Sequence, residues 1–187
     1  MNRTKTIKNY LRSGFNWRIA FAFLAGAIAS ALLMDFPFFS TPIKDTAFTE
    51  GFSNLLATIT ASIIEVNGYE VTLKEPSILF TKSNGIYFAF GCLGYRQIIW
   101  FSVFLLISPG KPINKSWFIL LGIIIIEFSN VLRAAIIGIS NYHNPQSFEI
   151  IHAQGTIWFV YGTVLLLWLF WLESLKSDIL SHTTHTA

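Results

Sequence analysis

Four apolar runs decide what this chain can become. Trp117 to Ser140 is apolar through Ile126 apart from Gly122, and meets its first charge at Glu127. Ile19 to Met34 is interrupted only by Gly26 and Ser30. Leu93 to Ser108 and Ile150 to Leu172 complete the set. A helix of ~20 apolar residues crosses a bilayer, and it satisfies its own amides and carbonyls where water cannot. Composition agrees: 53% of residues are apolar and 12% charged, against roughly 25% charged in soluble domains. Mean hydropathy is +0.55. The sequence predicts an all-α polytopic membrane protein, a single membrane domain over residues 1–187. About four transmembrane helices are expected, at 19–34, 93–108, 117–140 and 150–172.

Charge sets the orientation. Arg3, Lys5, Lys8, Arg12 and Arg18 precede the first run with no acid among them. The net charge of +3 therefore reads as a cytoplasmic flank obeying the positive-inside rule, not as a nucleic-acid surface. Lys111 and Lys115 lie in a short loop between the second and third runs, which puts that loop on the same side. Residues 1–18 and the polar, frayed tail 173–187 are expected in the cytoplasm, and residue 35 emerges outside. Ala29-Ser30-Ala31 has the form of a signal-peptidase site. The apolar run continues past it, which favours a retained anchor. Trp17 before the run, and Phe36, Phe38 and Phe39 after it, have the placement of interfacial aromatics.

Residues 35–91 are the most soluble in character. Phe52, Leu55, Leu56, Ile59, Ile63 and Val66 recur at a helical period, with Ser53, Asn54, Thr58, Ser62 and Glu65 on much of the other face. An outer amphipathic helix is expected, lying on the bilayer or packed on the bundle and ending at Asn67-Gly68. Tyr69-Val71-Leu73 alternates like a strand. Ser77–Lys82 and Ile86–Phe90 flank Ser83-Asn84-Gly85, a hairpin signal. A small β-hairpin thus leads directly to Gly91-Cys92-Leu93-Gly94-Tyr95-Arg96.

Cys92 is the chain's one cysteine, which excludes an internal disulfide and any multi-cysteine metal site. Zinc spacing, a phosphate loop and a Gly-x-Ser-x-Gly elbow are all missing, so neither metal nor cofactor is expected. With the orientation above, Cys92 stands at the outer end of the second span. Arg133 lies about 24 Å along the third span, near its outer end. His152 opens the fourth span at the same face. Alone, each residue has a plainer reading: an inert buried thiol, an arginine snorkelling to headgroups, an interfacial histidine. Their shared depth is what favours chemistry. A cation and a helix N-terminus stabilise a thiolate. A histidine can take the thiol proton and return one to a leaving amine. An arginine can hold an oxyanion or a carboxylate. Gly91 and Gly94 would let a substrate backbone approach. Glu127, Asn130 and Arg133 share one face of the third span. Asn130 alone is more often glue between helices. Arg96, one turn below Cys92, is expected to pair with Glu127 or Asn130 and brace the second and third helices.

At these residues the chain resembles the exosortase/archaeosortase family, over about residues 50–172. Cys92-Leu93-Gly94 followed by Arg96 matches the family's Cys-x-Gly motif, Asn130-Val131-Leu132-Arg133 its Asn-x-x-Arg segment, and His152 the histidine opening a later helix. Leu93 stands where many members carry a small Ser or Ala, and many members are longer. The likeness is to the short, single-module members of Bacteroidota type. The resemblance implies a Cys92–Arg133–His152 cysteine protease/transpeptidase site in the inner (cytoplasmic) membrane, facing the periplasmic side. Its partners would be exported proteins ending in a sorting signal: a short motif, a membrane helix and a basic cluster. Cleavage would pass through a thioester at Cys92 and end in transfer to an acceptor. The rival readings are a non-catalytic membrane subunit that binds a partner helix, and a membrane thiol acyltransferase.

Overall fold

The computed structural model describes the backbone of residues 3–81, 85–144 and 156–184, and the side chains of 17–81, 85–144 and 158–175. In chain order it runs α1 (Arg3–Asp35), α2 (Pro37–Lys44), α3 (Ala47–Val66), β1 (Val71–Lys74), β2 (Ser77–Phe80), β3 (Ile86–Tyr87), a 3₁₀ turn (Phe90–Cys92), α4 (Tyr95–Ile107), α5 (Pro112–His143) and α6 (Thr156–Thr184). The protein is a mostly helical, polytopic membrane protein with one small three-stranded sheet. Trp17–Asp35, Pro112–His143 and Trp158–Leu175 are long and apolar enough to cross a membrane.

Several boundaries differ from the expected ones. The basic flank is not a separate segment, because α1 is one helix from Arg3 to Asp35. Pro112, whose missing N–H suits a helix start, opens α5 five residues before Trp117, so Lys115 lies in a helical turn rather than a loop. Residues 173–184 continue α6 and are not frayed. The start expected for the fourth helix, at 150–155, lies outside the described residues. The second span is the largest change. Residues 93 and 94 belong to a turn, and α4 has 13 residues, about 20 Å against the ~30 Å of a bilayer core.

Helix α5 is the spine, and the molecule packs on it as two cores. At one end, α1, α4, α6 and the first half of α5 enclose Ala22, Phe101, Phe104, Ile126, Val160, Val164 and Trp168. Gly26 lets Trp100 of α4 lie against α1, where its indole N–H donates to the Phe23 carbonyl at 3.0 Å. The Trp171 indole N–H donates to the Ser108 hydroxyl at 2.9 Å. The Lys115 ammonium donates to the Leu106 carbonyl at 2.9 Å, covering a free carbonyl at the end of α4. Helices α1 and α4 run antiparallel, with Arg96 against Asp35 and Trp100 against Phe23, so the end of α4 and Lys115 lie toward the basic end of α1.

At the other end, α3, the sheet and the second half of α5 enclose Leu56, Ala57, Ile64, Ile78, Phe80, Phe88, Leu93, Val131 and Ala135. The sheet order is β1-β2-β3, antiparallel throughout, with Val71 opposite Phe80 and Ile78 opposite Ile86. A Cβ at Gly138 would strike Ile86 and Phe80, so this glycine sets how closely the sheet approaches α5.

Helix α3 begins at a Thr46 cap, whose hydroxyl accepts from the Thr49 amide at 3.1 Å, and ends at Asn67 before left-handed Gly68. Its buried face matches the expected apolar stripe only in part, at Phe52, Leu56 and Ile63. Thr49, Ser53, Leu56, Ala57, Thr60, Ala61 and Ile64 face inward, while Leu55, Ile59 and Val66 are exposed. Small residues let α3 approach α5 closely, the packing logic of helices whose surroundings are themselves apolar. The inward face is therefore rotated from the stripe that apolar periodicity marks.

Candidate active site

The segment Phe88-Ala89-Phe90-Gly91-Cys92-Leu93-Gly94 carries the chain from the sheet into α4. Ala89 is extended. The Cys92 amide donates to the Ala89 carbonyl at 2.7 Å and the Leu93 amide to the Phe90 carbonyl at 3.3 Å, closing the 3₁₀ turn. Leu93 is buried in the sheet-end core and anchors the turn. Gly94 then takes φ +71°, a left-handed conformation that turns the chain into α4.

Gly94 is constrained a second way. A Cβ there would overlap the Glu127 carboxylate. The buried acid of α5 thus sits against the N-terminal end of α4, where free amides and the positive end of the helix dipole gather. Neither carboxylate oxygen has a hydrogen-bond partner among the described residues. Helices α4 and α5 are braced here, through Gly94. The expected access for a substrate backbone at Gly94 is not what the geometry provides, since Glu127 fills that space.

Arg96 does not pair with Glu127 or Asn130. Its guanidinium forms a two-pronged ion pair with Asp35 at the end of α1. The expectation treated Cys92 and Arg96 as successive turns of one helix. The 3₁₀ turn and left-handed Gly94 intervene, so the i, i+4 relation fails and Arg96 shares the α1-facing side of α4 with Trp100.

Asn130 and Arg133 do meet the cysteine segment. Asn130 is buried. Its Nδ2 donates to the Cys92 carbonyl at 2.7 Å, and its Oδ1 accepts from Arg133 Nη1 at 3.2 Å. Arg133 Nη2 lies 4.0 Å from Cys92 Sγ. Arg133 Nε is buried without a hydrogen-bond partner among the described residues. One asparagine therefore fixes both the backbone of the cysteine and the guanidinium that faces its sulfur. Cys92, Asn130 and Arg133 line a cavity of about 280 Å³ with Gly85, Ile86, Tyr87, Phe88, Ala134 and Ile137. The chemical content is a free thiol beside a guanidinium that has a donor to spare and no neighbouring carboxylate partner among the described residues.

His152 lies outside the described residues. His143 is the last residue of α5. Its Nε2 is 2.7 Å from the Tyr69 hydroxyl, ten residues beyond Arg133 on α5. Sequence reading missed the contribution of β3 to the cavity wall. The hairpin signal gave the strand, but not which of its edges would face the cysteine. Among the described residues, no three His, Cys, Asp or Glu side chains gather to hold a metal ion.

Comparison with known proteins adds one finding. No curated protein and no solved structure matches the chain. The family model of the transmembrane exosortases matches residues 15–172, covering the anchor, the sheet, the cysteine turn and all three later helices up to Leu172. With most of its length matched, the chain belongs to the transmembrane exosortase family.

Proposed function

We propose that the protein is a cysteine peptidase/transpeptidase that cleaves the C-terminal sorting signal of exported proteins. The observation that carries this reading is the approach of Arg133 Nη2 to within 4.0 Å of Cys92 Sγ at a cavity, in a chain of exosortase family. The thiolate attacks the scissile carbonyl, forming a carbon–sulfur bond. Arg133, whose Nη2 faces the sulfur, offers a guanidinium N–H to the charge that develops on oxygen. His152 takes the thiol proton and returns it to the leaving amine as the carbon–nitrogen bond breaks. An acceptor nucleophile then displaces sulfur from the thioester. The protein resides in the inner membrane with this site on the periplasmic side. That orientation is supported by Lys115 and the basic start of α1 lying toward the opposite end of the bundle.

The test is co-expression with an exported protein ending in a short motif, an apolar helix and an Arg/Lys cluster. Wild type should shorten that protein, and Cys92→Ala should abolish the shortening. An acyl adduct on Cys92 should be released by hydroxylamine and seen by mass spectrometry. Equal shortening in the Cys92→Ala variant would end the proposal.

A further inference from the structure

The strand that walls the cavity has an edge that no described strand covers. β3 is last in the sheet order, paired with β2 on one side, and no strand covers its other side among the described residues. Which of its backbone groups face that open edge follows from the ladder. The Phe88 amide donates to the Pro76 carbonyl at 3.2 Å, so Phe88 and Pro76 form a hydrogen-bonded pair. Facing residues in an antiparallel ladder alternate between bonded and non-bonded pairs. Ser77 and Tyr87 face each other one step along, so the Tyr87 N–H and C=O point away from β2. The carbonyl accepts from the Ala89 amide at 3.0 Å, which leaves it one lone pair. The N–H is a donor without a partner among the described residues.

We infer that the substrate segment binds as an added strand on the free edge of β3, pairing with Tyr87 and so delivering its scissile carbonyl to Cys92. This rests on the peptidase reading above and names how that same site takes hold of its peptide. Three observations select an extended peptide as the occupant. The edge offers main-chain donor and acceptor, which recognise backbone of any sequence. Gly85 to Phe88 and Cys92 line one cavity, so a strand laid on the edge runs toward the sulfur. At about 280 Å³, the cavity is just under the ~300–1,000 Å³ of small-molecule sites. It has room for a side chain or two of an extended segment and not for a helix, about 10 Å across. The brevity of β3 fits as well. An edge of two residues is too short to invite sheet-to-sheet aggregation, yet long enough to fix the register of one incoming residue.

The experiment uses the purified full chain in nanodiscs and reads the rate at which Cys92 is alkylated. The probes are acetyl-trialanine chloromethyl ketone, the same tripeptide with its backbone nitrogens methylated, and iodoacetamide. Sulfur displaces chloride from the first two and iodide from the third. The peptide should label Cys92 faster than its N-methylated form, which cannot donate to a strand edge, by about three- to tenfold, the worth of one or two hydrogen bonds. Tyr87→Pro removes the edge N–H where the ladder does not use it, a substitution edge strands accept. It should slow labelling by the unmethylated peptide relative to iodoacetamide, because a peptide carbonyl loses its edge donor, while Tyr87→Ala, which keeps the N–H, should not. Equal rates for the two peptides on wild type would overturn the inference, as would a peptide rate, relative to iodoacetamide, left unchanged in a folded Tyr87→Pro variant. Should that variant fail to fold, the comparison of the two peptides on wild type still decides. Iodoacetamide labelling needs no strand edge, and so reports separately on whether Cys92 is the reactive thiol that the peptidase reading requires.

Discussion

Two arginines flank the cysteine turn, and the contrast between their surroundings separates structure from chemistry. Arg96 lies at the seam of α1 and α4, where both prongs of its guanidinium are taken by the Asp35 carboxylate. Arg133 lies at the seam of α5 and the cysteine turn. Its described polar contacts are the neutral Asn130 amide and the thiol sulfur, and its Nε is left over. The charges are the same. What differs is the partner: a carboxylate neutralises one cation and fixes two helices, whereas an amide positions the other without cancelling it. A cation able to act on a developing negative charge is one that the fold holds in place but leaves electrostatically uncompensated.

The contrast is open to attack, beginning where the effect is largest. Arg133→Ala should slow iodoacetamide labelling of Cys92 by about tenfold, the scale of one charge interaction near a partly exposed site. Arg133→Lys should recover part of that rate, since an ammonium supplies charge without the fork that reaches both Asn130 and sulfur. If Arg96→Ala slows labelling as much as Arg133→Ala does, the distinction between the two arginines collapses.

Gly94→Ala should come next, and act on stability. A left-handed backbone costs a non-glycine residue about 1–2 kcal/mol, and displacing the Glu127 carboxylate adds to that. Thermal unfolding in detergent should show a clear fall in midpoint. A midpoint equal to wild type would mean that Glu127 and Gly94 do not brace α4 against α5.

Asp35→Asn should have the smallest effect. The ion pair is partly open to its surroundings, with Arg96 38% and Asp35 53% exposed, and such pairs contribute little to stability. A slight drop in midpoint, with the alkylation rate of Cys92 unchanged, is the expected outcome. A changed rate would show that the α1 seam acts on the thiol.

Much of this was legible from particular residues. Three of the four apolar runs lie in helices long and apolar enough to cross a membrane, because lipid admits few alternatives to a helix that bonds its own backbone. Asn67-Gly68 named the end of α3, and Ser83-Asn84-Gly85 lay between two runs that became strands β2 and β3. Asn130 and Arg133, three apart on one helix face, were bound to share a neighbour, and the cysteine turn is that neighbour. Other features were out of reach. α2 carries Pro42 in its interior, a residue that argues against a helix. The face of α3 was legible only in part, because hydrophobic periodicity shows which side avoids water, and around this helix apolar side chains point outward as well as in.

The sequence by itself determined the class of molecule and the residues able to do chemistry, since apolar length and residue type are local properties. The tertiary structure alone decided their pairing. Glycine in a left-handed turn rotated α4 so that one arginine met an aspartate sixty-one residues away, and the other was left facing sulfur. Such partnerships depend on how helices are rotated about their axes when they pack, and no spacing along the chain encodes that rotation once a non-helical turn breaks the count.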